Sequence, residues 1–282
     1  MSRKRAIPDV LQSILLYGIL VTIGILMIVP FYWMFILATH ATPDISQFPP
    51  PISPGKNIVA NYNNLLAAIP FWRSFFNSVY VSSIQTVCVI LFCSLGGYAF
   101  AMYRFPGRDF LFKFLLITMM VPWMAGIIPW FILMKWFGWI DNFNALIIPH
   151  IATAFGIFWM RQYTQNNIPK ELMDAAIIDG CSEWLIFFRI IFPLLKPATS
   201  ALAIMTFVNS WNNFMQPLII LKSDARLTLP LALNKLYGDP TRGFDAGALI
   251  MGTAMAVLPV LIIFLLAAKK FMAGLTAGAV KG

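Results

Sequence analysis

Charge is what this sequence has least of. Only 11% of its 282 residues are Asp, Glu, Lys or Arg, while 60% are hydrophobic; a soluble domain carries roughly 25% charged residues. So little charge cannot cover a globular surface, so a soluble fold is excluded and most of the chain belongs in a bilayer. The net charge of +9 does not point to nucleic acid, because the basic residues stand at the ends of apolar runs, where they orient spanning helices. Cysteine is scarce as well. Cys88 and Cys93 fall in one apolar run on different helical faces and Cys181 lies far away, which leaves neither a disulfide framework nor a metal site. The two histidines, His40 and His150, have no ligand-like spacing. No G-x-x-x-x-G-K-[ST] loop is present, so the chain does not hydrolyse ATP by that route. Its acidic residues lie in loops or near the ends of apolar runs, which counts against an ion-coupled carrier. No Ser/His/Asp or Cys/His constellation suggests an enzyme.

What the sequence has is length in apolar runs. A span needs about 20 mostly apolar residues, and such runs lie near 11–38, 75–103, 110–137, 145–163, 198–221 and 246–268. The expected fold is therefore an all-α membrane protein of about six spans forming a single transmembrane domain over residues 1–282. The basic N-terminus precedes a run too long for a signal peptide and reads as a retained first span. Pro122, Gly126 and Pro129 predict a kink or unwound turn in the third run. The segment 39–73, with its prolines and asparagines, predicts an irregular loop that is either a connector or a surface for an outside partner.

Lysine and arginine set the orientation. Arg3, Lys4 and Arg5, then Arg104, Arg108 and Lys113, then Arg161, Lys170, Arg189 and Lys196, and finally Lys269, Lys270 and Lys281 fall on one side. The other side has Lys56, Arg73 and Lys135, and a last loop with Lys222, Arg226, Lys235 and Arg242 diluted by Asp224, Asp239 and Asp245. Both termini, the loop 166–197 and the tail 269–282 are thus expected in the cytoplasm.

That loop reads "IPKELMDAAIIDGCSEWLIFFRIIFPLLKP" from Ile168. Pro169 suits a first helical turn, Glu171 and Asp174 its positive end, and Gly180 its stop. Ser182 can cap a second helix whose first turn holds Glu183 and which ends at Pro193 and Pro197. A helix–glycine–helix hairpin follows. Small Ala175 and Ala176 among Leu172, Met173, Ile177 and Ile178 fit either a helix entering a partner's groove or a helix resting on headgroups.

Asp174-Ala175-Ala176, three residues, Gly180, nine residues, then Ile190 and Phe192-Pro193 resembles the "EAA" loop of ABC-importer permeases, with Asp174 in place of glutamate and Phe192 in place of leucine. "GGYAFAMYRFPGRDFLF", "VNSWNNFMQPLIIL", "LTLPLALNKLYGD" and "KKFMAGLTAGAVKG" are similar to the sugar-importer branch, in particular to the MalG-like subunit of maltose systems. The resemblance implies a type I ABC importer permease fold in a prokaryotic inner membrane. It also implies a second, MalF-like permease, two ATPase subunits that hold ATP and Mg, a solute-binding protein outside, and a sugar or oligosaccharide substrate. No cofactor is implied on this chain. Asp174, Ala175, Ala176, Gly180, Glu183, Ile190 and Pro193 would then couple the permease to the ATPase, with the tail also touching it, and alternating access would be the mechanism.

For the solute, Thr206, Asn209, Asn213 and Gln216 recur at i, i+3, i+7 and i+10 beside Asn212, one face of a helical fifth span. Uncharged amides in a bilayer mark either a pathway or helix–helix contacts. His150, after Pro149, reads as a satisfied bundle residue. A secondary carrier or channel for a small polar solute is the alternative function, followed by a structural membrane subunit.

Overall fold

The computed structural model describes residues 7–238 and 243–276, with residues 7–10, 238 and 266–276 described by backbone alone. Arg3, Lys4, Arg5, Asp239, Arg242 and Lys281 lie outside the described residues. In chain order the helices are α1 (Ile7–Leu37), α2 (Thr42–Ile45), α3 (Ile58–Ala68), α4 (Phe71–Met102), α5 (Arg108–Thr118), α6 (Ile127–Trp136), α7 (Asn144–Ile147) and α8 (Ala154–Asn167). They continue with α9 (Lys170–Ile178), α10 (Glu183–Leu185), α11 (Phe192–Leu194), α12 (Lys196–Trp211), α13 (Met215–Ile220), α14 (Leu229–Gly238) and α15 (Ala246–Thr276). No strand occurs among the described residues.

Among those residues, 11–37, 71–102 and 246–265 are single helices long and apolar enough to cross a membrane. Two further runs are broken. Residues 108–118 and 123–136 meet at 94°, across the Pro122 and Gly126 region where a kink was expected; 183–194 and 196–211 meet at 77°. The run 145–163 is not one helix: α7 and a 3-10 turn at Ile148–His150 precede the 14-residue α8, only about 21 Å long. The segment 39–73 is less irregular than its prolines suggested, because 58–68 is helical. The tail expected from 269 continues α15 as far as Thr276, in keeping with its Lys, Met, Ala and Leu content.

The chain divides into two compact units, 1–69 with 235–257 and 70–234 with 258–282. The first unit is organised by polar contacts. Buried Asn61 on α3 donates its amide to the carbonyls of Ala38 and His40, both at 2.8 Å. Asp245, just ahead of α15, accepts from Thr42 Oγ1 (2.9 Å), Asn64 Nδ2 (2.9 Å) and the Ala248 N–H (3.0 Å). Burial alone would raise the Asp245 pKa, but these donors and the Gly247 N–H prevail and hold it below its ordinary value. Trp33 and Tyr32 donate to the carbonyls of Pro51 and Ile52, which fastens the proline-rich stretch to the end of α1.

The second unit is built around α4, which packs against α8 and α12. Small residues permit the α4–α8 crossing: a Cβ on Gly97 would lie 2.5 Å from Met160 Cβ, and one on Gly156 would lie 2.5 Å from Cys93 Sγ. This is how helices approach closely when lipid supplies no hydrophobic drive between them. Val89, Cys93, Met160, Phe187, Ile191 and Leu202 form the fully buried centre. At the far end of α4, Asn77 donates to the carbonyls of Ala225 and Leu227, and Arg73 to Ala225. Asn77 therefore holds a loop.

Candidate functional site

The loop 166–197 folds as the expected hairpin. Pro169 stands at the N-cap of α9, with Glu171 in the first turn. Gly180 ends the helix at φ +76°. The N–H of Cys181 bonds to the Ala176 carbonyl and that of Gly180 to the Ile177 carbonyl, both at 3.0 Å. Those two bonds satisfy carbonyls that the helix end would otherwise orphan, and they require a left-handed residue at the turn. Ser182 opens the second arm, its Oγ accepting from the Leu185 N–H at 3.4 Å. The arm then widens into a π-helical stretch, Ile186–Ile191, and closes at α11. Leu195, fully buried, is the pivot before α12.

The two alanines separate in role. Met173 and Ala176, three residues apart on α9, are buried in the unit's own core beside Tyr98 and Phe187. Ala176 is therefore not part of an outward-facing small-residue surface: the inward stripe of a short amphipathic helix needs it. Ala175 and Asp174 are exposed, together with Ile177, Ile178 (85%) and Trp184 (65%). Gly180 is exposed too, and a Cβ there would meet nothing within 4 Å. Glu183 accepts a hydrogen bond from Tyr103 Oη, so the second arm is tied to the end of α4. Ile190 packs partly against the core, and Pro193 is exposed. The outer surface thus pairs two aspartates, Asp174 and Asp179, with large apolar side chains.

The polar residues of the fifth run do not share one helical face. The α12 helix ends at Trp211, and 212–214 are non-helical before α13. Trp211 is buried against Phe75 and Phe207 at ring distances of 5.6 and 5.8 Å, and Pro217 follows within α13, a residue that cannot donate to the helix ladder. Thr206 and Asn209 remain on α12, with Asn209 exposed. Asn212 is exposed in the break, whereas Asn213 donates to Gln216 Oε1 at 2.7 Å. Gln216 in turn lies 2.9–3.1 Å from His150 Nε2. His150 is thus satisfied, as its place in the sequence suggested, and Gln216 is its partner. Ser210 donates to Gln85 Oε1 at 2.7 Å. Two separate polar clusters, Asn213–Gln216–His150 and Ser210–Gln85, replace the continuous stripe.

Beyond the membrane runs, Asp141 adopts φ +56° and its Oδ1 accepts from the N–H groups of Lys222 (2.9 Å) and Ser223 (3.1 Å). Burial would raise its pKa; those donors and nearby Arg226 lower it overall. The contact joins the 138–143 loop to the 221–226 loop.

Residues 94–269 match the family of binding-protein-dependent transport system inner membrane components. The chain is 42% identical over 212 residues, 75% of each protein, to the arabinooligosaccharides transport system permease AraQ of Halalkalibacterium halodurans. It is 34% identical over 99% of its length, and 98% of the relative's, to the lactose transport system permease LacG of Rhizobium radiobacter. Its fold matches a chain of a bacterial ABC transporter that imports the polysaccharide alginate, with a TM-score of 0.79 at 24% identity, over 96% of this chain and 99% of the other. The matched family segment contains the hairpin and the Asn213–Gln216–His150 cluster, and it holds Ser210 but not its partner Gln85. The chain belongs to the binding-protein-dependent transport system inner membrane component family and is a transport permease subunit, not an enzyme.

Proposed function

We propose that this chain is the MalG-like permease of an importer for a sugar or oligosaccharide, acting with a second, MalF-like permease. Two ATPase subunits that carry ATP and Mg dock on the loop side, a solute-binding protein delivers sugar outside, and both termini lie in the cytoplasm of a prokaryotic cell. The chain itself holds no cofactor. The observation that carries this reading is the 168–195 hairpin: a hydrogen-bonded, glycine-ended turn with an acidic, apolar outer surface and an inner surface buried in the core. A surface built that way can receive a push and pass it through Leu195 into α12. Closure of the ATPase dimer on ATP would draw the two permeases' hairpins together and open the cavity outward; hydrolysis would reset it. Asp174, Ala175, Gly180, Glu183 and Pro193 act at or beside the docking surface, while Ala176 and Ile190 act by anchoring it.

Thr206, Asn209 and Asn212 supply the pathway reading of the fifth run, with Asn213 and Gln216 holding its break through His150. The sugars named for the relatives above, arabino-oligosaccharides and lactose, give the first substrates to try. The test is co-purification followed by reconstitution. A second multi-span permease and a P-loop ATPase should come with the tagged chain, and proteoliposomes should take up sugar only with ATP and binding protein. Uptake at the same rate with a non-hydrolysable nucleotide would remove the importer mechanism and favour a secondary carrier or channel.

A further inference from the structure

A basic concavity on the hairpin side of the second unit borders the base of the hairpin, but none of the coupling residues named above lines it. It opens between the 103–107 connection and the α8–α9 junction and holds about 290 Å³. Arg104, Arg108, Gln165 and Lys170 form its walls over a buried apolar floor of Met102 and Ile168. Arg108 is partly engaged: it donates to Asp109 Oδ1 from Nε (3.0 Å) and Nη2 (2.9 Å), and to the Tyr103 carbonyl from Nη1 (3.3 Å). Arg104 and Lys170 are exposed and form no ion pair with a described residue. Three cations therefore face one carboxylate, leaving an excess of positive charge at a concave, partly dry surface.

What lies beside the cavity decides the kind of anion. A second concavity shares Arg104 and Arg108 and extends over Phe105, Gly107 and Phe110. From there α5 presents Phe110 (72% exposed), Phe114 (58%) and Ile117 (58%), at spacings i, i+4 and i+7 that make one stripe. A small soluble anion would leave that stripe unused. An amphiphile would fill the basic mouth with its head and lie along the stripe with its chains.

We propose that this concavity binds the headgroup phosphate of an anionic phospholipid, with the acyl chains along Phe110, Phe114 and Ile117. Arg104 and Lys170 make the primary charge-assisted contacts, since guanidinium and ammonium donors match phosphate oxygens. Gln165 offers an uncharged donor, and Arg108, already oriented by Asp109 and Tyr103, adds to the field. Basic pockets between membrane helices select anionic heads in this manner.

Native mass spectrometry of the complete assembly in a non-ionic detergent, titrated with phosphatidylglycerol and with phosphatidylcholine, tests the site. At about fivefold per cation, Arg104→Gln/Lys170→Gln should weaken phosphatidylglycerol retention by about 25-fold, whereas Lys222→Gln in the 221–226 loop should change it little. The charge-preserving pair Arg104→Lys/Lys170→Arg should keep retention near the wild-type level and so separates charge from damage to the fold. Equal retention of phosphatidylcholine, an unchanged affinity in the Gln pair, or loss in the charge-preserving pair would each overturn the site. Inorganic phosphate or glycerol 1-phosphate in millimolar excess should fail to displace the lipid; displacement would overturn the lipid assignment and leave a soluble phosphate site.

Discussion

Gly180→Val tests the hairpin where its geometry is least forgiving. Gly180 sits at φ +76°, a region that costs an L-residue about 1–2 kcal/mol and a β-branched one at the upper end or beyond. A Cβ placed there meets no atom within 4 Å, so the expected effect is the backbone strain of the turn. The carbonyl bonds of Ala176 and Ile177 that close α9 depend on that turn. A cost of about 2 kcal/mol lowers the population of the formed turn relative to opened ones by about 30-fold. The rest of the unit keeps its packing, because Met173, Ala176 and Phe187 are anchored on either side. The expected outcome is normal membrane insertion and assembly with strongly reduced ATP-driven uptake. Gly180→Asn, which tolerates the left-handed region, should retain most uptake. The assay is sugar uptake in proteoliposomes beside ATPase rate and membrane abundance for the three proteins. If Val transports as well as Asn and glycine, or if abundance falls in step with uptake, the coupling argument is wrong.

Other consequences follow from single contacts. Asn209→Leu should lower the rate of solute uptake and leave ATPase co-purification intact if that exposed amide faces the pathway; unaltered uptake across the candidate sugars would assign it elsewhere. Gly97→Ala forces Met160 and the Arg161 backbone apart and should cost about 1–3 kcal/mol, read as a lower melting temperature in detergent; an unchanged melt would show that α4 and α8 can separate freely. Asp245 has its pKa lowered in the folded state by Ala248, Thr42, Asn64 and Gly247 against the opposing effect of burial. Its stabilisation is therefore complete above the unfolded value of about 3.9 and is lost as pH falls through the lower folded value. Melting curves between pH 3 and 7 should show that loss in wild type and a smaller one in Asp245→Asn; parallel curves would refute the role.

Much of this molecule was legible because its strongest signals are local. Apolar runs and the order Pro169, Glu171, Gly180, Ser182 are each read from residues close together in the chain. The hairpin's turn therefore came out as its sequence predicts, with a left-handed glycine and a serine cap. The break in the third run was likewise readable from Pro122 and Gly126. The fifth run misled because i, i+3, i+7 spacing presumes an unbroken helix, whereas the α12 ladder stops at Trp211.

Other features are set by chain segments remote in sequence. Ala175 and Ala176 are chemically identical neighbours, yet only Ala176 is buried, because α9 rests one face on Tyr98 and Phe187. Gln216 finds His150 across 66 residues and Ser210 finds Gln85 across 125, pairings that no window along the sequence contains. The basic concavity likewise needs Arg104 from the 103–107 connection and Lys170 from the start of α9. The sequence by itself determined the class of the protein, its three unbroken spanning helices and its acidic hairpin, since hydropathy and turn chemistry act over short range. Only the tertiary structure decided which side chains face inward, which amides pair and where charge collects, since those depend on how helices distant in sequence cross.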